Sequence, residues 1–477
     1  MRQYILTILL IGSSIFGFSQ STFNYAYDSG QVEGSCGIIV NEDSIYHLEW
    51  HYDFTKAWLA LTKLDANGVV SSRVIIEDTS TIASSGNGFF RYKDDFIIAG
   101  SVKINDTAQP MVMRIDTLGN IKWKSNYDFP GMSKGKFRAG TVAWDDTSFV
   151  LTGTVDNGTT SFDRLTAIVD SSGGLMNYNI DVEVNLQEPF SLVKGINNGY
   201  MVLGHSYSSD ISGNAQLWKI DNNGADVWTQ SFGSPGQYDG GLFIVPADSI
   251  YWLSLHQLTD VPSNSFTGRI MRIDTLGNII SDTILNYGSV EKGNFWGGTL
   301  LDNGECAFVG SIRDTSSTSS KGWIAKFNAS GDPIWTKKFS LRLGDNYAYS
   351  ISCIGSNDFL VSGFAGPDGM GASQDAWLIR LDSNGCDTSQ CQSVGIKTQY
   401  TNTYKAYPNP TSNYLILETG KSKFHTANFY DISGKQIWNS NFYSTIKLDV
   451  STWPSGIYIM QILTDGENPY SKKIIIE

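Results

Sequence analysis

The sequence lacks long apolar stretches and basic clusters. After the first 20 positions no stretch approaches 18 apolar residues, so we expect no transmembrane helix in the mature chain. Charged residues make up only 17% of the 477 positions, and acidic residues outnumber basic ones by 47 to 34. The resulting net charge of −13 repels phosphate backbones, and no run of Lys or Arg provides a local basic patch. We therefore predict no nucleic-acid partner.

The first 20 residues differ from the rest of the chain. Arg2 precedes an apolar run that begins at Tyr4, and the small residues Gly17 and Ser19 stand where a signal peptidase reads the chain. This pattern predicts a cleaved signal peptide over residues 1–20. A membrane anchor is the alternative, but about 14 apolar-rich residues cannot span roughly 30 Å of hydrocarbon as a helix.

Cysteine is scarce, because the five cysteines are too few for a disulfide scaffold of this length. Cys386 and Cys391 flank only four residues in a turn-rich segment. In an exported protein this spacing predicts a local disulfide. A zinc site would need further ligands, and no other Cys or His lies within the next thirty residues.

Glycine and aromatic residues are plentiful and indicate strands. The chain contains 48 glycines, and 13% of its residues are aromatic. This composition favours many tight turns joining short, well-packed strands, and it excludes disorder and coiled coil.

One pattern recurs seven times through the middle of the chain. Each copy is a short alternating segment that ends in Asp or Asn, two further residues and Gly. Successive copies are separated by 51, 54, 51, 53, 54 and 54 residues. The Asp or Asn positions are Asp65, Asp116, Asp170, Asp221, Asp274, Asn328 and Asp382.

Each repeat contains four strand-like segments rich in β-branched and aromatic residues, without a helical period. Four strands in about 50 residues predict a propeller blade, and seven blades close a ring. We therefore predict an all-β fold with a seven-bladed β-propeller over residues 21–385. The seventh repeat lacks a fourth strand, which the N-terminal segment 21–27 is expected to supply.

The Asp-x-x-Gly segments are predicted to be turns in which Gly takes positive φ and the Asp or Asn side chain caps the turn. A calcium loop is the alternative, but each turn offers only one or two carboxylates against the six to eight oxygens that calcium takes. Six copies also carry a Lys or Arg two residues before the Asp or Asn. Period-two spacing suggests that this cation pairs with the turn carboxylate.

No GxSxG, HExxH or P-loop motif is present, so we predict that the protein is not an enzyme and carries no cofactor. His205 and His256 occupy equivalent positions in neighbouring repeats and would hold a metal only if a third ligand converged. Other repeats place Ser, Thr or Phe there. Packing is therefore the preferred interpretation, and no metal is predicted.

The last eighty residues carry a different pattern. Three segments follow in order: YPNPTSNYLILE, FYDISGKQIW and LDVSTWPSGIYIMQILTDG. They closely resemble the type A C-terminal sorting domain of the type IX secretion system of Gram-negative bacteria. The resemblance covers residues 400–477, after a linker at 386–399. The motif residues are Tyr407, Pro408, Asn409, Pro410, Gly434, Gly456 and Tyr458.

This resemblance implies a small immunoglobulin-like β-sandwich that the outer-membrane translocon reads. Cargo of this family is usually cleaved by a sortase near the start of the domain, and is then released or attached to the cell surface. We accordingly predict a secreted protein, either extracellular or on the outer-membrane surface. An ordinary immunoglobulin-like domain that binds another molecule is the alternative.

Ligand binding is predicted on the propeller face that carries long, varied loops. An aromatic residue near the start of each blade is expected to pack between blades, so the next residue points the other way by strand alternation. We therefore predict Arg138, Asp239 and Trp296 as residues that line the central mouth and bind ligand. Trp296 is expected to stack on a sugar or a side chain.

The predicted function is a secreted or cell-surface binding or adhesion module. Its expected partner is an extracellular protein or glycan, and the chain is expected to be monomeric. The alternative is an extracellular polysaccharide hydrolase or lyase with its site at the propeller axis. A carboxylate pair roughly 5–10 Å apart at the axis would favour the enzyme, whereas an uncharged aromatic lining would favour binding.

Overall fold

A computed structural model describes residues 22–387 and 404–477, and the chain divides into two compact units at residues 393 and 394. Each unit is described by itself. The predicted signal peptide and most of the predicted linker lie outside the described residues. Shorter gaps in the description fall at 28–31, 42–43, 54, 77–80, 84–86, 159–161, 184, 208–212, 234–237, 261–264, 286–290, 315, 318, 341, 343, 356–357, 367–373, 420–424, 444 and 465–469.

The first unit consists of antiparallel strands. The first of them, and the strands of blades 1 and 2, are β1 Phe23–Tyr27, β2 Val32–Asn41, β3 Ser44–Tyr52, β4 Ala57–Asp65, β5 Val70–Ile76, β6 Thr81–Ala83, β7 Phe89–Tyr92, β8 Asp95–Ile104, β9 Thr107–Asp116 and β10 Ile121–Asn126. Blades 3 and 4 are β11 Lys134–Val142, β12 Ser148–Asp156, β13 Phe162–Asp170, β14 Leu175–Asp181, β15 Leu186–Lys194, β16 Tyr200–Tyr207, β17 Gly213–Ile220 and β18 Asp226–Phe232.

Three further blades complete this unit. They are β19 Asp239–Ala247, β20 Ile250–Asp260, β21 Ser265–Asp274, β22 Ile279–Ile284, β23 Glu291–Leu300, β24 Cys306–Asp314, β25 Lys321–Phe327, β26 Pro333–Phe339, β27 Asn346–Ile354, β28 Asp358–Ala365 and β29 Asp375–Leu381. Each blade is one sheet in chain order, except that blade 2 has its innermost strand in two pieces, β6 and β7, and blade 7 takes β1 as its outermost strand.

The blades form a closed ring. The first strand of each blade packs against the next blade, and β27 of blade 7 packs against β2 of blade 1. Seven apolar clusters of described residues fill the seven interfaces between neighbouring blades. One of them joins Leu203 of blade 4 to Met271 of blade 5, and another joins Ile45 of blade 1 to Leu378 of blade 7. The predicted seven-bladed β-propeller is thus the fold of this unit.

Blade 7 is completed by the two ends of the unit. β1 pairs antiparallel with β29, with Tyr25 opposite Leu378. Without β1, the outer edge of β29 would expose an unpaired row of backbone donors and acceptors.

The seven Asp-x-x-Gly segments are turns, as predicted. In every copy Oδ1 of the Asp or Asn accepts the N–H groups of the residues two and four positions later, at 2.8–2.9 Å. The glycine has a φ between 73° and 94° in all seven copies, a region that favours glycine. Oδ1 of the turn side chain is therefore occupied by hydrogen bonds from the backbone of its own turn.

The expected pairing of the preceding cation with the turn carboxylate is wrong for Arg114, Lys326 and Arg380. Each pairs instead with a carboxylate at or just before the second strand of its blade: Asp95, Glu305 and Asp358 respectively. In blades 2 and 7 the turn carboxylate caps its own backbone through Oδ1, and in blade 6 the turn residue is Asn328, which has no carboxylate.

Three of the cations also reach the turn of the following blade. Arg114 donates to the carbonyl oxygen of Ser171 at 3.3 Å, and Arg272 donates to that of Ser330 at 2.7 Å. Arg380 of blade 7 donates to the carbonyl oxygen of Ala66 in blade 1. These bonds tie neighbouring blades together on the turn face.

The second unit contains two small sheets around one apolar core. Its strands are β30 Tyr404–Tyr407, β31 Tyr414–Thr419, β32 His425–Tyr430, β33 Gln436–Phe442, β34 Thr445–Asp449, β35 Gly456–Thr464 and β36 Tyr470–Ile476. The sheet orders are β30-β31-β34 and β33-β32-β35-β36. Leu415 and Leu417 of the first sheet pack with Phe429 and Met460 of the second, as in a β-sandwich.

The predicted motif residues of this unit have structural roles. The peptide bonds before Pro408 and Pro410 are cis. Asn409 accepts the N–H of Ile475 at 2.8 Å and donates to the carbonyl oxygen of Lys473 at 2.9 Å, which fixes the first strand region against β36. Gly434 repeats the positive-φ turn of the propeller, Gly456 begins β35, and the hydroxyl of buried Tyr458 donates to the carbonyl oxygen of Pro454.

Cys386 is disulfide-bonded, and its predicted partner Cys391 lies outside the described residues. Cys36, Cys306 and Cys353 are free thiols. Within the described ranges there is no helix long and apolar enough to cross a membrane.

Candidate binding site at the propeller axis

A β-bulge interrupts the innermost strand of blade 1 and of blades 3 to 7. At each bulge the ladder to the second strand skips one residue of the innermost strand. The skipped residue has no partner in the ladder and interrupts the alternation of side chains between the two faces of the sheet. Its side chain therefore points in a different direction from the one that a strict period of two predicts. In blades 3 to 7 the skipped residues are Arg138, Phe190, Leu242, Trp296 and Tyr349.

A glycine of the second strand makes room for the bulge in four blades. A Cβ atom on Gly310 would lie 1.8 Å from the carbonyl oxygen of Asn294, and one on Gly363 would lie 1.7 Å from that of Tyr347. Gly153 and Gly204 have the same close approach to the innermost strand. The glycine that recurs in the second strand is therefore required by the backbone of the bulge.

The five bulge side chains of blades 3 to 7 line a cavity of about 400 Å³ at the axis of the ring. Five more described residues complete the lining from blades 1, 2 and 7: Ser35, Trp50, Asn87, Phe364 and Gln374. Of these ten residues five are aromatic, Arg138 is the one charged residue, and none has a carboxylate. The lining is thus mostly apolar, with a few convergent polar groups, as is typical of small-molecule sites.

Trp296 lies at the centre of the aromatic part of the wall. Its ring centroid is 6.0 Å from that of Tyr349 and 6.5 Å from that of Phe190, and both contacts are steeply inclined. The guanidinium carbon of Arg138 lies 4.5 Å from the centroid of Phe190, within cation–π range. The indole N–H of Trp296 is buried and has no hydrogen-bond partner among the described residues.

Arg138 is held in place by a carboxylate behind the cavity wall. Its guanidinium lies 2.6 Å from Oε1 of Glu188, and Nε2 of His205 lies 3.2 Å from the other carboxylate oxygen. Burial, the largest influence, raises the pKa of Glu188, but the hydrogen bond from His205 and the charge of Arg138 outweigh it and lower the pKa to about 2. Glu188 is therefore ionised at ordinary pH and does not hold a transferable proton.

The structure places two of the three predicted site residues at the cavity, Arg138 and Trp296. Asp239 is not among the lining residues: its side chain is fully buried, and Oδ1 lies 3.7 Å from the guanidinium of Arg269. The bulge of blade 5 comes three residues later, so the residue equivalent to Arg138 and Trp296 is Leu242. Asp239 is thus not one of the described residues that line this cavity, and its role in ligand binding stays a prediction.

Sequence reasoning also missed Phe190 and Tyr349, although a signal for both exists. The recurring glycine of the second strand lies opposite the residue just before the bulge: Gly204 opposite Pro189, and Gly363 opposite Ala348. Aligning the repeats on this glycine would have identified the bulged residue in blades 3, 4, 6 and 7. Blade 5 has no such glycine in its second strand, because Leu255 occupies the position opposite Gly241.

His205 and His256 are packing residues in this structure. Both are buried, their ring centroids are 6.4 Å apart, and Tyr238 stacks on His256 with centroids 5.6 Å apart. Burial lowers the pKa of His256 to about 3, with a further contribution from His205. Among the described residues no three metal-ligating side chains converge, here or elsewhere.

The comparison with protein families concerns the second unit. Residues 405–477 match the family model described as a secretion system C-terminal sorting domain. The endo-acting ulvan lyase of Formosa agariphila is 29% identical to this chain over 75 residues. That match covers 15% of this chain and only 14% of the lyase.

The comparison with solved structures concerns the propeller fold. The BP39L lectin of Burkholderia pseudomallei is 11% identical, with a TM-score of 0.49 over 77% of this chain and 97% of its own. A protein of unknown function from Dyadobacter fermentans is 9% identical, with a TM-score of 0.47 over 75% of this chain and 97% of its own. Likeness at this level says nothing about the ligand of this chain.

The sorting motif and the ring of blades together indicate the fold and the destination of the protein. The family match includes Tyr407, Pro408, Pro410 and Asn409, and the contacts of Asn409 with β36 are given above. A type IX sorting domain interacts with the secretion machinery and directs its cargo out of the cell. Residues 405–477 match the secretion system C-terminal sorting domain, the first unit is a seven-bladed β-propeller, and the protein is exported to the cell surface or the extracellular space.

Proposed function

We propose that the propeller is an extracellular binding or adhesion module that holds a saccharide in the axial cavity. The observation that carries this proposal is the lining itself: five aromatic side chains, several amide and hydroxyl groups, and no carboxylate among the ten described residues. Aromatic rings offer the flat apolar faces on which a sugar ring packs, and polar groups fix its orientation.

Trp296 is the proposed stacking platform. Its buried indole N–H lacks a described acceptor, and a buried donor without an acceptor costs free energy. A hydroxyl oxygen of a bound sugar would supply that acceptor. Arg138, already oriented by Glu188, would donate its remaining N–H groups to the ligand.

The lining supports binding over polysaccharide hydrolysis. Glycoside hydrolysis needs two carboxyl groups roughly 5–10 Å apart on either side of the bond. The nearby carboxylate described above, Glu188, lies behind Arg138, and its pKa of about 2 does not suit a general acid. We therefore propose a non-catalytic role, with the sorting domain engaging the translocon and a sortase, and the propeller acting as a monomer.

The experiment is a glycan array probed with the purified protein and with Trp296→Ala. We expect the wild type to bind a defined set of saccharides, and the variant to bind them at least about thirtyfold more weakly. Trp144→Ala is the matched control, because Trp144 is 44% exposed and lies outside the cavity. Thermal melting of each variant separates loss of binding from loss of fold.

Two outcomes would contradict the proposal. One is a wild-type protein that binds no saccharide on the array. The other is a folded Trp296→Ala variant with unchanged binding. If Trp296→Ala unfolds, Tyr349→Ala tests the same wall from the neighbouring blade, because its ring lies 6.0 Å from that of Trp296.

A further inference from the structure

A second, smaller depression adjoins the axial cavity on blade 6, and we call it the blade-6 groove. It has a volume of about 250 Å³, and its lining includes Phe266, Lys292, Asn294, Trp296, Arg313 and Tyr347. Trp296 lines both the groove and the cavity, so its side chain is part of the wall of both spaces. A ligand that packs on Trp296 therefore lies close to the residues of the groove as well as to those of the cavity.

The groove contains two cations in an unusual arrangement. Lys292 of β23 and Arg313 of β24 are directly opposite each other in the ladder. Like charges in opposite positions of a sheet repel and destabilise it. Neither side chain has a salt bridge to any described residue, although the chain carries 47 acidic residues against 34 basic ones. Arg313 is exposed and Lys292 is partly buried, so water, and no described carboxylate, solvates this pair.

The acidic residues near the groove form salt bridges or hydrogen bonds with other groups. Glu291 and Asp314 form the next ladder pair and therefore point to the opposite face of the sheet. There Glu291 forms a salt bridge with Lys338, and Asp314 accepts the N–H of Ser316 at 2.8 Å. Asp345 accepts the N–H of Ser320 at 2.7 Å. These pairings leave the charge of Lys292 and Arg313 directed at the groove.

We propose that the ligand of this site is an acidic polysaccharide, with a sulfate or carboxylate group of one sugar bound between Lys292 and Arg313 in the blade-6 groove. This inference rests on the proposed saccharide function and names its chemical class. An anion between the two cations removes their mutual repulsion, and a guanidinium binds planar or tetrahedral oxyanions through two N–H groups. The aromatic wall shared with the cavity favours a sugar chain over an acidic polypeptide.

The experiment measures binding of dextran sulfate and of unsubstituted dextran of the same length, which differ only in the anionic groups. We expect the wild-type protein to prefer dextran sulfate, and the preference to weaken as salt rises, because the Debye length falls to about 8 Å at 0.15 M. The double variant Lys292→Gln/Arg313→Gln is expected to bind dextran sulfate about tenfold more weakly.

Lys337→Gln is the matched control. Lys337 lies on the outer strand β26 of the same blade and does not line the groove. The control is expected to bind dextran sulfate as the wild type does, since general attraction to a polyanion would respond equally to any lost cation. Because the double variant removes two charges and the control one, a control that loses half or more of the binding free energy lost by the double variant would overturn the proposal. Polyglutamate that binds as tightly as dextran sulfate, at the same two cations, would overturn it in favour of an acidic polypeptide.

The two proposals fail in different ways. If Trp296→Ala abolishes saccharide binding but the double variant keeps its full affinity for dextran sulfate, the saccharide function stands and the acidic class is wrong. If no saccharide binds at all, the proposed function itself is wrong. The melting temperature of the double variant is expected to equal or exceed that of the wild type, because removing opposed like charges relieves repulsion.

Discussion

The Asp-x-x-Gly turns and the β-bulges are two devices that this chain repeats around the ring, and they differ in what is repeated. In the turns both backbone and side chains recur, because Oδ1 caps the backbone and glycine supplies the positive φ. In the bulges of blades 3 to 7 only the backbone recurs, and the side chain changes from Arg to Phe, Leu, Trp and Tyr. The backbone sets no requirement on a side chain that enters the axial cavity, so that position is available for ligand recognition.

The sharpest test of this difference concerns the glycine that faces a bulge. Gly310→Ala would place a Cβ atom 1.8 Å from a backbone oxygen that cannot move without breaking the ladder. We expect a loss of at least about 3 kcal/mol in the free energy of unfolding, measured by urea denaturation. Gly366→Ala is the matched control: a Cβ there would meet its nearest neighbour at 3.4 Å, and we expect a loss below about 1 kcal/mol. Equal effects of the two substitutions would mean that the bulge does not depend on glycine.

Acid is expected to lower the stability of the propeller by protonating Glu188, which pairs with the bulge residue Arg138. Its pKa of about 2 lies below the ordinary value of 4.5, so the fold favours the ionised form. The resulting stability is fully present above pH 4.5 and is lost as the pH falls from 4.5 towards 2. We expect the stability difference between wild type and Glu188→Gln, on the order of 2 kcal/mol at neutral pH, to shrink over that interval. A difference that stays constant between pH 5 and pH 3 would contradict the ion pair with Arg138.

The smallest effect is expected in the turns. Asp221→Ala removes the acceptor of two backbone N–H groups, at 2.8 and 2.9 Å, and is expected to cost about 1 kcal/mol in thermal or urea unfolding. Asp221→Asn should cost little, because Asn328 already makes the same bonds in blade 6. Neither variant is expected to change saccharide binding, and an altered affinity in either would show that the turns are not purely structural.

The propeller could be predicted from sequence because its turns carry side chains that the backbone requires. Seven such turns at a spacing of 51 to 54 residues determine the number of blades, and the spare segment before blade 1 indicates how the ring closes. The sorting domain could be predicted because Asn409 and its flanking prolines form an uncommon local pattern.

The axial site could be predicted only in part, because strict strand alternation does not include a bulge. Arg138 and Trp296 follow buried Phe137 and Phe295, so counting from an aromatic residue led to two residues of the cavity lining. In blade 5 the same count began at Tyr238, three residues too early, and led to Asp239 instead of Leu242. The opposed cations Lys292 and Arg313 were also beyond reach, since their pairing depends on the register of β23 with β24.

The bond from Arg380 to the carbonyl oxygen of Ala66, together with the pairing of β1 with β29, bears on how this ring unfolds. An open array of repeats frays from its terminal members, each of which has only one neighbour. Here every blade has two neighbours, so unfolding must begin by opening a seam, and the loss of one blade exposes the cores of two interfaces. The seam between blades 7 and 1 joins residues far apart in the chain, so it carries the largest loop-closure entropy and is expected to form last during folding. Denaturation of the ring should accordingly be a single cooperative transition that starts at this seam.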